Sequence, residues 1–223
     1  MTSSKINYLS LGENCLPDDI LKRYGLKSFS TPYSPARSNI EYAIYNETHN
    51  YKNLLKKENL IIENRYGKNT AVNLSFPCVS HIYDPSVKRG FEFTHHNVIC
   101  EESARESYIR KIDRMRSLKE SYNIFLYNYR INEDFNLYTL IQKCNQFLEF
   151  YQHSHLCVMT QTLCTGKNER SIRIYHKGNI TLFRYYTMQK WEGADSNIFW
   201  ARCDDDLIKI MINYMKELSK EIK

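Results

Sequence analysis

Short strand-like runs alternate with amphipathic helical segments through most of this 223-residue chain, which restricts it to few architectures. Residues 6–11 form a β-prone run ending at Gly12. A helix is expected over 17–24, with Pro17 in its first turn, Asp18 and Asp19 favourable to its dipole, and Gly25 as its stop. Residues 28–38 hold two prolines and four serines and read as an ordered loop. Apolar spacing at Ile40, Ala43 and Ile44, and again at Tyr51, Leu54 and Leu55, predicts two short helices. Between 60 and 100 the pattern is mixed, and only a strand ending near His95 stands out.

Residues 101–119 give the clearest helix, acidic at its start and basic at its end. A β-rich run at 123–127, helical spacing over 137–150, a strand over 155–162 and a hairpin over 173–186 turning at Lys177-Gly178 follow. A last helix spans 204–220. The order predicts a single three-layer α/β domain over 1–223, with a mostly parallel central sheet and an antiparallel edge hairpin. Such sheets bind ligands at their carboxyl ends.

Net charge bears on partners. A value of +6 suits an anionic small-molecule, glycan or peptide substrate, whereas nucleic-acid binders carry a denser basic stripe. No run approaches the ~18 apolar residues of a membrane helix, and the first residues lack the apolar centre of a signal peptide, so a cytoplasmic protein is expected. The oligomeric state is not written in the sequence. The seven cysteines are odd in number and scattered, with no Cys-x-x-Cys pair, which argues for free thiols over a disulfide framework or a zinc site.

One of them is distinctive. Cys15 follows Ser10-Leu11-Gly12-Glu13-Asn14 at the end of the first strand, just before the first helix. A helix N-terminus favours a thiolate, and free backbone N–H groups there can hold an oxyanion. Gly12 allows the tight turn, and the Asn14 amide offers another oxyanion donor. A nucleophilic thiol needs a base. His95 and His96 close a strand and are the candidates, while His153 and His155 flank another strand and His49, His81 and His176 read as surface. No histidine group has the Cys, Asp or Glu spacing of a metal site, and none is expected. The remaining cysteines read as small buried hydrophobes or lack a telling context.

Four motifs in order resemble a bacterial family of papain-like cysteine peptidases, otherwise known as a domain of unknown function. Ser10-Leu11-Gly12-Glu13-Asn14-Cys15 matches its Ser-Leu-Gly-x-Asn-Cys opening. Ser30-Thr31-Pro32-Tyr33-Ser34-Pro35 stands at its Ser-x-Pro-Phe-Asp-Trp segment, and Phe93-Thr94-His95-His96 at its Phe-x-His-Asp element. Tyr108-Ile109-Arg110-Lys111-Ile112-Asp113-Arg114 stands at its Tyr-x-Arg-Arg-x-x-Arg helix, so the likeness covers residues 6–130. It implies Cys15 as nucleophile and His95 as base with His96 in reserve. It also implies Arg110, Lys111 and Arg114 as a phosphate or carboxylate clamp. The family's two aspartates are Ser34 and His96 here, so Ser34 becomes a candidate substrate contact, and Asp84, Asp113 or Asp195 a candidate orienting carboxylate.

The expected chemistry is acyl transfer through a thiol, as hydrolase or peptidase, with no cofactor required. The same opening also looks like that of coenzyme-A-dependent acetyltransferases of bacterial polysaccharide biosynthesis, where acyl-coenzyme A would be the donor. A non-catalytic glycan- or peptide-binding module, lined by some of the eighteen tyrosines and ten phenylalanines, is the reading without chemistry.

Overall fold

In the computed structural model, which describes residues 6–65, 67–193 and 199–221, one strand pairing anchors the rest. β1 (Asn7–Gly12) pairs in parallel with β5 (Asn123–Asn128), although more than a hundred residues separate them in sequence. β5 continues in parallel to β6 (Ser154–Leu163) and β6 to β8 (Ile180–Thr187), while β7 (Ser171–Lys177) lies antiparallel on the far edge. The order β1-β5-β6-β8-β7 is the mostly parallel sheet with an edge hairpin that the alternation predicts. Gly178, at φ +57°, makes the β7–β8 turn.

The side chains explain the three layers. Along β5, Ile124 and Leu126 pack into one hydrophobic cluster and Phe125 and Tyr127 into the other, so both sheet faces are buried. The first face is covered by α1 (Leu16–Arg23) and α5 (Asp205–Glu221), through Leu16, Ile20, Leu21, Ile208, Met211 and Met215. The second is covered by α2 (Ile40–Thr48), α3 (Glu102–Ser117) and α4 (Leu137–Leu148). Among the described residues no helix is long and apolar enough to cross a membrane.

A second sheet was not expected from the sequence: β2 (Leu60–Arg65), β3 (Lys68–Asn73) and β4 (Phe91–Phe93), all antiparallel. The expected strand toward His95 is β4, and it stops two residues short of the histidine. The helix expected around Tyr51 and Leu55 is instead a series of turns. Asn50 and Tyr51 have φ of +48° and +58°, which ends helical backbone, while the apolar side chains of Tyr51, Leu54 and Leu55 still reach the core.

Candidate active site

The turn from β1 into α1 is built by its own polar groups. A Cβ on Gly12 would stand 2.7 Å from the Asn14 carbonyl oxygen, so only glycine permits this path. The Gly12 carbonyl accepts a hydrogen bond from Ser38 Oγ (3.1 Å). Cys15 is the N-cap of α1 but makes no capping bond. Asn14 Oδ1 caps instead, accepting from Leu16 N–H (3.0 Å) and from Asn128 Nδ2 (3.2 Å). Pro17 has no N–H and that of Leu16 is engaged, whereas among the described residues the backbone N–H groups of Asn14 and Cys15 make no hydrogen bond. At its other end α1 closes in a Schellman motif: Leu26 N–H donates to Leu21 O and Gly25 N–H to Lys22 O, with Gly25 at φ +67°.

β4 delivers the partner. Glu92, at its centre, exchanges both backbone hydrogen bonds with Arg37 of the 28–38 loop, tying β4 to the segment beside β1. Beyond the strand end, His95 Nε2 stands 3.3 Å from Cys15 Sγ. His96 is elsewhere, packed edge-on against Tyr108 at 5.7 Å. Burial and the nearby Lys111 charge hold its pKa below the usual histidine value. Of the two adjacent histidines, His95 is therefore the one that meets the thiol. Among the described residues nothing is bonded to His95 Nδ1. Asp84 is engaged with Ser86 and Arg130, Asp113 with Arg116, and Asp195 lies outside the described residues. Ser34 is buried, bonded to Ser10 Oγ (2.6 Å) and to Thr31 N–H (2.9 Å); it braces the loop.

The electrostatics reverse one expectation. Burial, and next to it the Asp18 carboxylate, push the Cys15 thiol up to about 11, with Asp19 and Glu92 adding to the rise and Arg37 opposing it. The acids that suit the first turn of α1 thus disfavour a thiolate at its cap. At neutral pH the thiol is therefore protonated. Asp18 is held by Ser10 Oγ (2.9 Å) and Lys27 Nζ (2.7 Å), so Asp18→Asn keeps an acceptor for Ser10 while removing the negative charge. The thiol pKa then falls, and alkylation of Cys15 by iodoacetamide at pH 8, followed by mass spectrometry, is expected to speed up several-fold. An unchanged rate would contradict this account of the thiol.

The arginine helix divides. Arg110 is exposed and 3.8 Å from Glu106, and Arg114 is exposed over the Phe29 ring at 5.8 Å. Lys111 turns inward: it is 7% exposed, with its ammonium 4.3 Å from the centre of the Tyr108 ring. Among the described residues it has no ion pair. Burial, with Lys27, Arg114 and Arg110 nearby, lowers its pKa to about 8 against the opposing charge of Asp18. Tyr108 is fully buried, its hydroxyl without a hydrogen bond among the described residues, and it is near enough to Cys15 that a thiolate there raises the tyrosine pKa further. The clamp expected of three side chains is one inward lysine flanked by two surface arginines.

All seven cysteines are free, with Cys78, Cys144 and Cys157 buried; among the described residues no three acidic, histidine or cysteine side chains gather as a metal site. Residues that sequence reasoning passed over are Glu13, Asn128 and Arg130. Glu13, fully buried at the variable position of the motif, accepts from Tyr127 OH (3.0 Å) and from Arg130 N–H (3.0 Å), and burial pushes its carboxyl up to about 7. Nothing in a lone glutamate at a strand end announces that role. Comparison with known protein families, characterised proteins and solved structures found no match for the chain.

Proposed function

We propose that the protein is a cysteine-dependent acyl-transfer enzyme in which Cys15 is the nucleophile and His95 its general base. The 3.3 Å contact between Sγ and Nε2 carries the reading. As sulfur attacks an ester, thioester or amide carbonyl, its proton passes to His95 Nε2. The oxyanion meets the N–H groups beside Cys15 and the Asn14 amide. Collapse expels the leaving group, which takes the proton back from His95 and leaves an acyl-thioester on Cys15. Water, activated by the same imidazole, then releases the acid, as in a papain-like hydrolase. The buried Lys111 ammonium, which makes no ion pair among the described residues and has the Asp18 carboxylate as its acidic neighbour, favours an anionic substrate and supports a second reading. In it acyl-coenzyme A is the donor, and a sugar hydroxyl or amine replaces water. Seven free thiols suit a reducing, cytoplasmic setting.

Intact-mass spectrometry after exposure to 4-nitrophenyl acetate and, separately, acetyl-coenzyme A tests the proposal. A single acetyl adduct is expected on the wild type and none on Cys15→Ser at the same site. Transfer from acetyl-coenzyme A selects the transferase, and adduct from the ester alone selects the hydrolase. An adduct that persists in Cys15→Ser, or none with either donor, removes the nucleophile and leaves a binding module.

A further inference from the structure

Beyond Asn14 a cleft of about 380 Å³ opens over the carboxyl ends of β1, β5 and β6, between the start of α1 and the segment after β8. Neither Cys15 nor His95 lines it, whereas Asn14 and Leu16, the residues on either side of Cys15, both do. We propose that this cleft binds a small organic anion, a carboxylate or a phosphate, through Arg130 and Lys190.

The charges favour an anion. Arg130 and Lys190 both line the cleft, and Asp84 is its acidic member. Asp84 is already committed: its Oδ1 accepts from Ser86 N–H (2.9 Å) and lies 3.7 Å from Arg130 Nη2. Lys190 is exposed and, among the described residues, has neither a hydrogen bond nor an ion pair. The cleft therefore presents one ammonium that no side chain bonds, with the Asp84 carboxylate as its acidic neighbour, and one guanidinium that is only partly used.

Arg130 is held in place from behind. Glu13 takes its backbone N–H at 3.0 Å and stands 3.5 Å from its Nε, while Ser86 Oγ accepts from Nη2 at 2.7 Å. A guanidinium fixed in this way gives up little side-chain entropy on binding, and its planar fork matches the two oxygens of a carboxylate or phosphate. The wall is also incompletely satisfied. Thr162 Oγ1 is buried and, among the described residues, has no hydrogen bond, although buried polar groups are nearly always paired. Asn128, bonded to Asn14 through Nδ2, has its carbonyl oxygen left to accept from a ligand hydroxyl or amide.

Position adds meaning. The carboxyl edge of a parallel sheet is where α/β folds bind ligands. Asn14 connects the two places: at the cleft wall its Oδ1 accepts from Asn128 Nδ2, and the same oxygen caps the helix whose N-cap is Cys15. The anion is then the acidic end of the acyl donor or acceptor that Cys15 serves, and this assignment, unlike binding itself, rests on the acyl-transfer reading. Lys111 meets charge on the His95 side of the thiol, and the cleft meets it beyond Asn14.

Isothermal titration calorimetry on the full chain at pH 7, with inorganic phosphate and separately with succinate, is the test. Saturable binding of at least one probe is expected, weakened about tenfold in Lys190→Gln and in Arg130→Gln. Phosphate alone identifies a phosphoryl ligand and succinate alone a carboxylate. Lys190 is on the surface, so its variant keeps the test readable even if Arg130→Gln is unstable. No binding of either probe, or binding indifferent to Lys190→Gln, overturns the proposal. Cys15→Ala should bind as the wild type does. Anion binding in a protein that forms no acyl adduct would retain the cleft while removing the acyl-transfer reading.

Discussion

Replacing His95 with alanine is expected to slow acetylation of Cys15 by 4-nitrophenyl acetate about 10²–10⁴-fold at pH 7, the usual worth of a general base. The size of the effect follows from the resting state of the thiol. With its pKa pushed up to about 11, roughly one Cys15 side chain in 10⁴ is ionised at pH 7 without help. His95, at 3.3 Å, is positioned to take the proton as the carbon–sulfur bond forms. His96 is no substitute, being packed on Tyr108 and made less basic by burial and by Lys111. The pH profile separates a chemical role from a structural one. In His95→Ala the rate should climb steadily with pH as the thiolate forms directly, so the gap to the wild type narrows toward pH 11. Equal rates at pH 7, or a gap that stays constant with pH, would sink the assignment of His95 as base.

Much of this arrangement was legible in the sequence, and the remainder was hidden for physical reasons. Strands such as β5 and β6 are short apolar runs because both of their faces are covered, and that pattern is readable. Pro17 and Gly25 mark α1, and with Gly12 they mark Cys15 as a residue at a strand-to-helix turn. The approach of His95 was not readable from spacing. It depends on a small sheet whose β3 has four polar residues among its six and whose β4 has only three residues, too little for a period of two to register. The raised thiol pKa was hidden too. Asp18 and Asp19 read as good helix starters, and their cost to a neighbouring thiolate appears only once burial is known. For Lys111 the signal was present. Tyr108, Lys111, Ile112 and Met115 follow the i, i+3, i+4, i+7 spacing of one buried face, from which Arg110 and Arg114 are excluded.

Glu92→Ala should be the most damaging single change to the frame that holds His95, at a cost of about 3 kcal/mol. Glu92 is 1% exposed, with Oε2 3.1 Å from Arg65 Nη1 and Oε1 3.9 Å from Arg37 Nε. The Arg65 side chain is itself only 8% exposed, so removing the carboxylate leaves a buried guanidinium with Glu63 as its remaining acidic neighbour. That Glu63 contact, at 2.8 Å, keeps the cost toward the low end for a broken buried pair. Glu92→Gln preserves the shape and one acceptor and should lose less. The denaturation midpoint in urea measures the effect, and an unchanged midpoint in Glu92→Ala would show that the ion pairs contribute nothing net. Because β4 is three residues long and ends two before His95, loosening its central residue also releases the histidine from the thiol. Acetylation of Cys15 should therefore fall in Glu92→Ala even where the protein is fully folded, and rise with pH as it does in His95→Ala. Loss of stability with a wild-type labelling rate would confine Glu92 to the fold and detach the second sheet from the chemistry.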